Sequence, residues 1–110
     1  MRRAVYVVIA MLFMLFLTIC DIVYAAAPYH IGIVTGTVSQ GEDELRGAER
    51  VIQEYGDAAS RGMIVHVTYP DNFMQEMETV ISQIVGLADD PLMKAIVVNQ
   101  SIPGTTEAFR

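Results

Sequence analysis

Residues suited to binding a small molecule follow three apolar, β-branched runs of the chain. They are Thr35, Gly36, Thr37, Ser39 and Gln40 after the first run, Asp71 after the second, and Asn99, Gln100 and Ser101 after the third. Apart from Asp71, they offer neutral hydroxyls, amides and bare backbone, which suit hydrogen bonding to a polar, weakly charged solute. We therefore predict ligand binding at these residues. A purely structural role stays open, in which Ser39 and Asp71 are helix caps.

The segment from Gly36 to Gly41 has the G-x-x-x-x-G spacing of a phosphate-binding loop. The lysine and the hydroxyl residue that should follow are replaced by Glu42 and Asp43. Carboxylates at this position repel a phosphate group, and no lysine is left to hold it. The sequence thus excludes a nucleoside triphosphate, and the dinucleotide-binding pattern G-x-G-x-x-G is also absent.

Residue types for nucleophilic catalysis or metal binding lack the required spacing. Thr37 replaces the first glycine of a G-x-S-x-G elbow around Ser39. The two histidines, His30 and His66, fall inside predicted strands, and the only cysteine, Cys20, precedes the predicted domain. No three candidate ligands have the spacing of a metal site. We therefore expect no enzymatic activity, no metal and no cofactor.

The polar segments lie within an alternation of strands and helices. Strands are predicted at 29–35, 63–69 and 94–99, with helices between them and a third helix beginning near Thr105. Apolar strands that alternate with amphipathic helices predict an α/β fold, a three-layer open parallel sheet of strand order 2-1-3. Ligands of such sheets bind beyond the carboxyl ends of the strands, where the strand order reverses. Asp71, after strand two, is expected further out.

Capping signals predict where the first two helices begin. Ser39 and Glu42 fit an S-x-x-E capping box, and Gly56 is placed to end the same helix. Asp71 or Asn72 is predicted to cap the second helix.

The composition of residues 1–25 differs from that of residues 26–110. Arg2 and Arg3 precede a long uncharged apolar stretch, and small residues follow at 25–27. This order predicts a secretory signal peptide cleaved after Ala25. An uncleaved membrane anchor and a lipoprotein modified at Cys20 are the alternatives. Each of them places the domain outside the cytoplasm, in the periplasm or extracellular space, with membrane contact only through an uncleaved leader.

Residues 26–110 are acidic. They carry five basic and twelve acidic side chains, a formal net charge of −7. Nucleic-acid binding needs clustered lysine and arginine to neutralise phosphates. The charge therefore excludes a nucleic-acid partner.

Three segments together resemble a known family. They are "IGIVTGTVSQGEDELRGAERVIQEYG", "PDN" before a long apolar helix, and "KAIVVNQSIPGT". Over about residues 29 to 110 the chain resembles the amino-terminal lobe of type I periplasmic binding proteins, and within them an uncharacterised bacterial secreted family. The resemblance implies two lobes that close on a solute, with contacts from 35–40, 71–73 and 99–103. It also implies delivery to an ABC transporter or a membrane receptor.

From these observations we expect residues 26–110 to form an incomplete first lobe of an extracytoplasmic solute-binding protein. Two alternatives remain at this point. One is a flavodoxin-like cofactor or enzyme domain, and the other is a truncated fragment without function.

Overall fold

The computed structural model describes residues 1–18 and 25–110 of the chain. Its helices and strands, with a short 3-10 turn at Ala58–Ser60, follow in this order: α1 (Arg2–Thr18), β1 (His30–Thr35), α2 (Val38–Tyr55), β2 (Ile64–Thr68), α3 (Met77–Ala88), β3 (Met93–Val98) and α4 (Thr105–Ala108). The three strands and the helix near Thr105 confirm the predicted alternation. The alternative lipidation site, Cys20, lies outside the described residues.

The strands form one parallel sheet in the order β2-β1-β3. At the centre, Ile33 of β1 lies opposite His66 of β2 and Val97 of β3. Side chains alternate between the two faces of a strand, so one face of the sheet meets α2 while the other meets α3 and α4. The predicted three-layer fold and its strand order 2-1-3 are confirmed.

The core lies on the α3 face of the sheet. Its buried residues are Val34, Tyr69, Val80, Ile84, Leu87 and Ile102. Three of them recur on α3 at helical spacing, which gives that helix a continuous apolar stripe. Because residues from β1, β2 and the segment after β3 meet this stripe, the core holds the carboxyl ends of the strands at one edge.

The helix α2, which follows β1, begins earlier than its capping signal predicts. Thr37 occupies the N-cap position, so Ser39 lies inside the first turn and the predicted capping box is wrong. The hydroxyl of Ser39 lies 2.9 Å from that of Thr37 instead. The backbone of Gly41 is non-helical (φ −172°, ψ 86°) and separates this first turn from the rest of α2.

The second predicted cap is also wrong, because α3 begins only at Met77 with Glu76 in the N-cap position. The preceding residues form turns, in which the amide of Phe73 donates to the carbonyl of Pro70 at 3.1 Å. The carboxylate of Asp71 is engaged by Thr37, a residue distant in sequence, and is therefore not used as a cap.

The leading helix α1 presents large apolar side chains to solvent from Val5 to Met14. Across residues 1–18 and 25–110, none of the helices has the length and apolar character that crossing a membrane requires.

The packing predicts how two neighbouring residues of α3 differ in their effect on stability. Ile84 is 1% exposed and Val85 is 41% exposed. Replacing Ile84 with alanine leaves a cavity and is expected to lower the free energy of unfolding by about 2–5 kcal/mol. The control Val85→Ala is expected to change it by about 0.5 kcal/mol or less. Urea denaturation followed by circular dichroism measures both, and equal effects would contradict this packing.

Candidate functional site at the carboxyl edge of the sheet

Hydroxyl and carboxylate groups join the loops that follow β1 and β2. The hydroxyl of Thr37 donates to the Oδ1 atom of Asp71 and also lies 2.9 Å from the Oγ atom of Ser39. The Nε2 group of Gln40 donates to the main-chain carbonyl of Asp71 at 2.9 Å. We call these four residues the β1–β2 network. It brings Asp71 into contact with the first loop, nearer than the sequence predicts.

The same hydrogen bonds set the charge of Asp71. The Thr37 hydroxyl and then the Ser39 hydroxyl hold the pKa of this carboxyl below its ordinary value. Hydrogen bonds donated to a carboxylate stabilise its charged form. Asp71 is therefore ionised at neutral pH, and it remains exposed to solvent.

A second set of contacts joins β2, α2 and the loop after β3. The hydroxyl of Tyr69 makes a long hydrogen bond of 3.4 Å to the Oε1 atom of Gln100. The Nε2 group of Gln100 donates to the Oε1 atom of Glu44 at 2.8 Å. We call Tyr69, Gln100 and Glu44 the β3 network. Because one end of the Gln100 amide faces a hydroxyl and the other a carboxylate, its orientation is fixed.

Burial and charge act together on the tyrosine of the β3 network. Tyr69 is 1% exposed. Burial, and then the nearby carboxylate of Glu44, raise the pKa of the Tyr69 hydroxyl above its ordinary value. The hydroxyl is therefore neutral at physiological pH and acts as a hydrogen-bond donor to Gln100.

Because Gly36 has no side chain, the two networks can approach each other. A β-carbon at this position would lie 2.7 Å from the β-carbon of Gln40 and 2.8 Å from the Tyr69 hydroxyl oxygen. Contacts this short are not tolerated in a packed structure. Gly36 thus lies against one residue of each network, Gln40 of the β1–β2 network and Tyr69 of the β3 network.

Glu44 is held against a second glycine. A β-carbon on Gly41 would lie 2.7 Å from the Oε2 atom of Glu44. This oxygen is buried and finds no hydrogen-bond partner among the described residues. The kink at Gly41 therefore makes room for a carboxylate that a regular helix would present to solvent.

The predicted site residues fall into three groups in the structure. Those in the β1–β2 network meet directly, and Gln100 reaches them through Tyr69 and Gly36. Thr35 is apart from them: it is 2% exposed, and its hydroxyl donates to the Gly36 carbonyl and lies 2.9 Å from His66 Nε2. Asn99 and Ser101 are exposed. Their side chains make no hydrogen bond within the described part of the chain.

Two contributors to the site, Glu44 and Tyr69, are missing from the sequence prediction. Glu44 stands among several acids that have the pattern of a solvated helix face, and Tyr69 ends an apolar strand. Gly41, three residues before Glu44, is a local signal of a helix break. The sequence spacing does not show that the Glu44 carboxylate occupies the space at this break.

The site offers hydrogen-bond donors and acceptors with negative charge. Asp71 and Glu44 contribute carboxylates, and neither network contains a lysine or arginine. No group of three His, Cys, Asp or Glu lies close enough to hold a metal ion within residues 1–18 and 25–110. The arrangement is suited to noncovalent binding of a neutral or cationic polar group.

Removing the Thr37 hydroxyl tests the β1–β2 network. Thr37→Val is expected to raise the pKa of Asp71 towards its ordinary value, whereas Thr106→Val, an exposed control on α4, leaves it unchanged. Folding lowers this pKa, so the ionised carboxylate adds stability at neutral pH, which is lost as the pH falls through the folded-state pKa. Carboxyl carbon NMR shifts followed against pH measure the change. An unaltered Asp71 titration in Thr37→Val would rule out the network.

Comparisons with known proteins place this domain in a family. An uncharacterised protein of Treponema pallidum (strain Nichols) is 44% identical over 87 residues, which cover 77% of this chain and 39% of the relative. The chain thus spans well under half of the relative's length. No solved structure matches the chain. A family model described as "Protein of unknown function (DUF3798)" matches residues 29–110, which include the whole sheet and both polar networks. The chain belongs to this family.

Proposed function

We propose that residues 29–110 bind a small polar solute outside the cytoplasm, without converting it chemically. The observation that carries the proposal is the exposed β1–β2 network, in which loops from two strands present hydroxyl, amide and carboxylate groups at one edge. Ligands of open parallel sheets bind at this edge. The cationic, apolar leader supports an extracytoplasmic location.

The negative charge of the two networks limits the class of solute that we expect to bind. The ionised Asp71 and the carboxylate of Glu44 repel anions, and no basic side chain in the two networks offsets them. We therefore favour neutral or cationic solutes that carry several hydrogen-bonding groups. The same charges disfavour a phosphate-bearing cofactor, and with it the flavodoxin-like alternative.

The resemblance to type I periplasmic binding proteins supplies a mechanism for the proposal. In those proteins a second lobe closes over the solute and the closed form meets an ABC transporter or a receptor. The matched region is 39% of the Treponema relative, so the remaining length of such a protein can furnish further contacts. We propose the three loops of this chain as the first-lobe half of such a site.

The proposal is tested by screening solutes that are grouped by their charge. The purified full chain is titrated by calorimetry with panels of neutral sugars and polyols, amines and amino acids, and carboxylates and phosphates. We expect binding from the first two panels. Asp71→Ala is expected to weaken it about tenfold or more, since a lost charge-assisted hydrogen bond costs about 1.5–3 kcal/mol. The double variant Asn99→Ala/Gln100→Ala is expected to weaken it as well.

The matched control is Asp89→Ala, which removes an exposed carboxylate beyond the other end of α3. It is expected to leave affinity unchanged. Circular dichroism melts verify that each variant is folded. The proposal fails if no panel binds, or if the Asp71 and Asp89 variants bind a solute equally well.

A further inference from the structure

An apolar groove of about 440 Å³ lies open on the α2 face of the sheet. Apolar and tyrosine side chains line it: Tyr29, Ile31, Ile33, Val51, Tyr55, Met63, Ile64 and Val97. The helix α2 packs over β1 and β2 and leaves β3 uncovered. Val97, in the middle of β3, is consequently 52% exposed. Parallel sheets are normally covered on both faces, whereas no described helix covers this half of the α2 face.

The outer edge of β3 is uncovered as well. Among residues 1–18 and 25–110, β3 pairs on one side only, with Ala95 opposite Ile31 and Val97 opposite Ile33. A smaller groove of about 240 Å³ follows the same strand, between the end of α3 and the exposed ring of Phe109. An apolar edge strand with free backbone groups is a template for pairing with another strand.

The path of the chain indicates where a further parallel strand would pair. The crossover from β2 to β3 passes through α3 and moves across β1 towards the β3 edge. The segment after β3 stays on the α3 face, because Ile102 and Ala108 pack in the α3 core. Connections between parallel strands are right-handed. A further crossover on the same face would therefore continue in the same direction and would place a parallel strand against the outer edge of β3.

We propose that the β3 edge and the apolar groove together dock a parallel strand and an apolar helix face. Both come from the part of longer family proteins that lies outside the region matched by residues 29–110. The length supports this occupant, since the 87 aligned residues make up only 39% of the Treponema relative. The added strand extends the sheet, and the helix covers Val97 and the two tyrosines. The proposal does not depend on solute binding at the carboxyl edge.

Thiol labelling tests the proposal on the full chain in a Cys20→Ser background. Val97→Cys places a thiol in the groove, and Ala95→Cys places a second on the same face of β3. Val85→Cys, an exposed position of α3 on the other side of the sheet, is the matched control. Each variant is expressed alone and together with the part of the Treponema relative outside the matched region, and its reaction with Ellman's reagent is timed under native conditions.

We expect the two segments to purify together. We also expect the reaction rates of the thiols at 97 and 95 to fall by about tenfold or more, because the reaction then requires local opening. The thiol at 85 is expected to keep its rate. Three outcomes would overturn the proposal: failure to co-purify, equal rates at 97 with and without the second segment, or equal slowing at 85 and 97. Concentration-dependent protection at 97 in the chain alone would also overturn it, because a second copy would then cover the groove.

Discussion

The arrangement of the loops at the carboxyl ends of the strands depends on one constraint: the residue that follows the central strand must have no side chain. The strand β1 pairs on both sides and ends directly before Gly36, where Gln40 approaches from one direction and the buried Tyr69 from the other. Neither approach leaves room for a β-carbon. The segments that follow β1 and β2 therefore meet at Gly36, and Gln100 of the loop after β3 joins them through the Tyr69 hydroxyl.

This convergence gives the edge its chemical character. Thr37 and Ser39 hold Asp71 ionised, while Glu44 and Tyr69 fix the amide of Gln100 from opposite ends. Groups whose orientation is fixed before binding lose little conformational entropy when a ligand arrives. The two networks contain carboxylates and no lysine or arginine, and this charge is the basis on which we propose neutral or cationic polar solutes. Our proposal of solute capture without chemical conversion rests on these groups.

Much of the fold follows from the sequence, because it rests on local patterns. Apolar β-branched runs predict each strand to within one residue at either end, and right-handed connection predicts the order of the sheet. The starts of α2 and α3 are predicted poorly, because the side chains of Ser39 and Asp71 both engage Thr37 instead of capping a helix. Glu44 is missed for a related reason: its burial depends on the break at Gly41 and on Gln100, which is far away in sequence.

The measurement that tests this account most directly compares two glycine substitutions. Gly36→Ala inserts a methyl group between Gln40 and Tyr69, whereas Gly47→Ala adds one on α2 with no atom within 4 Å. We predict that Gly36→Ala lowers the free energy of unfolding by about 1–3 kcal/mol and moves the side-chain amide NMR signals of Gln100. We predict that Gly47→Ala raises stability by about 0.5–1 kcal/mol and leaves those signals in place. Equal stability and unmoved Gln100 signals in both variants would contradict the account, because the loops would then not converge at Gly36.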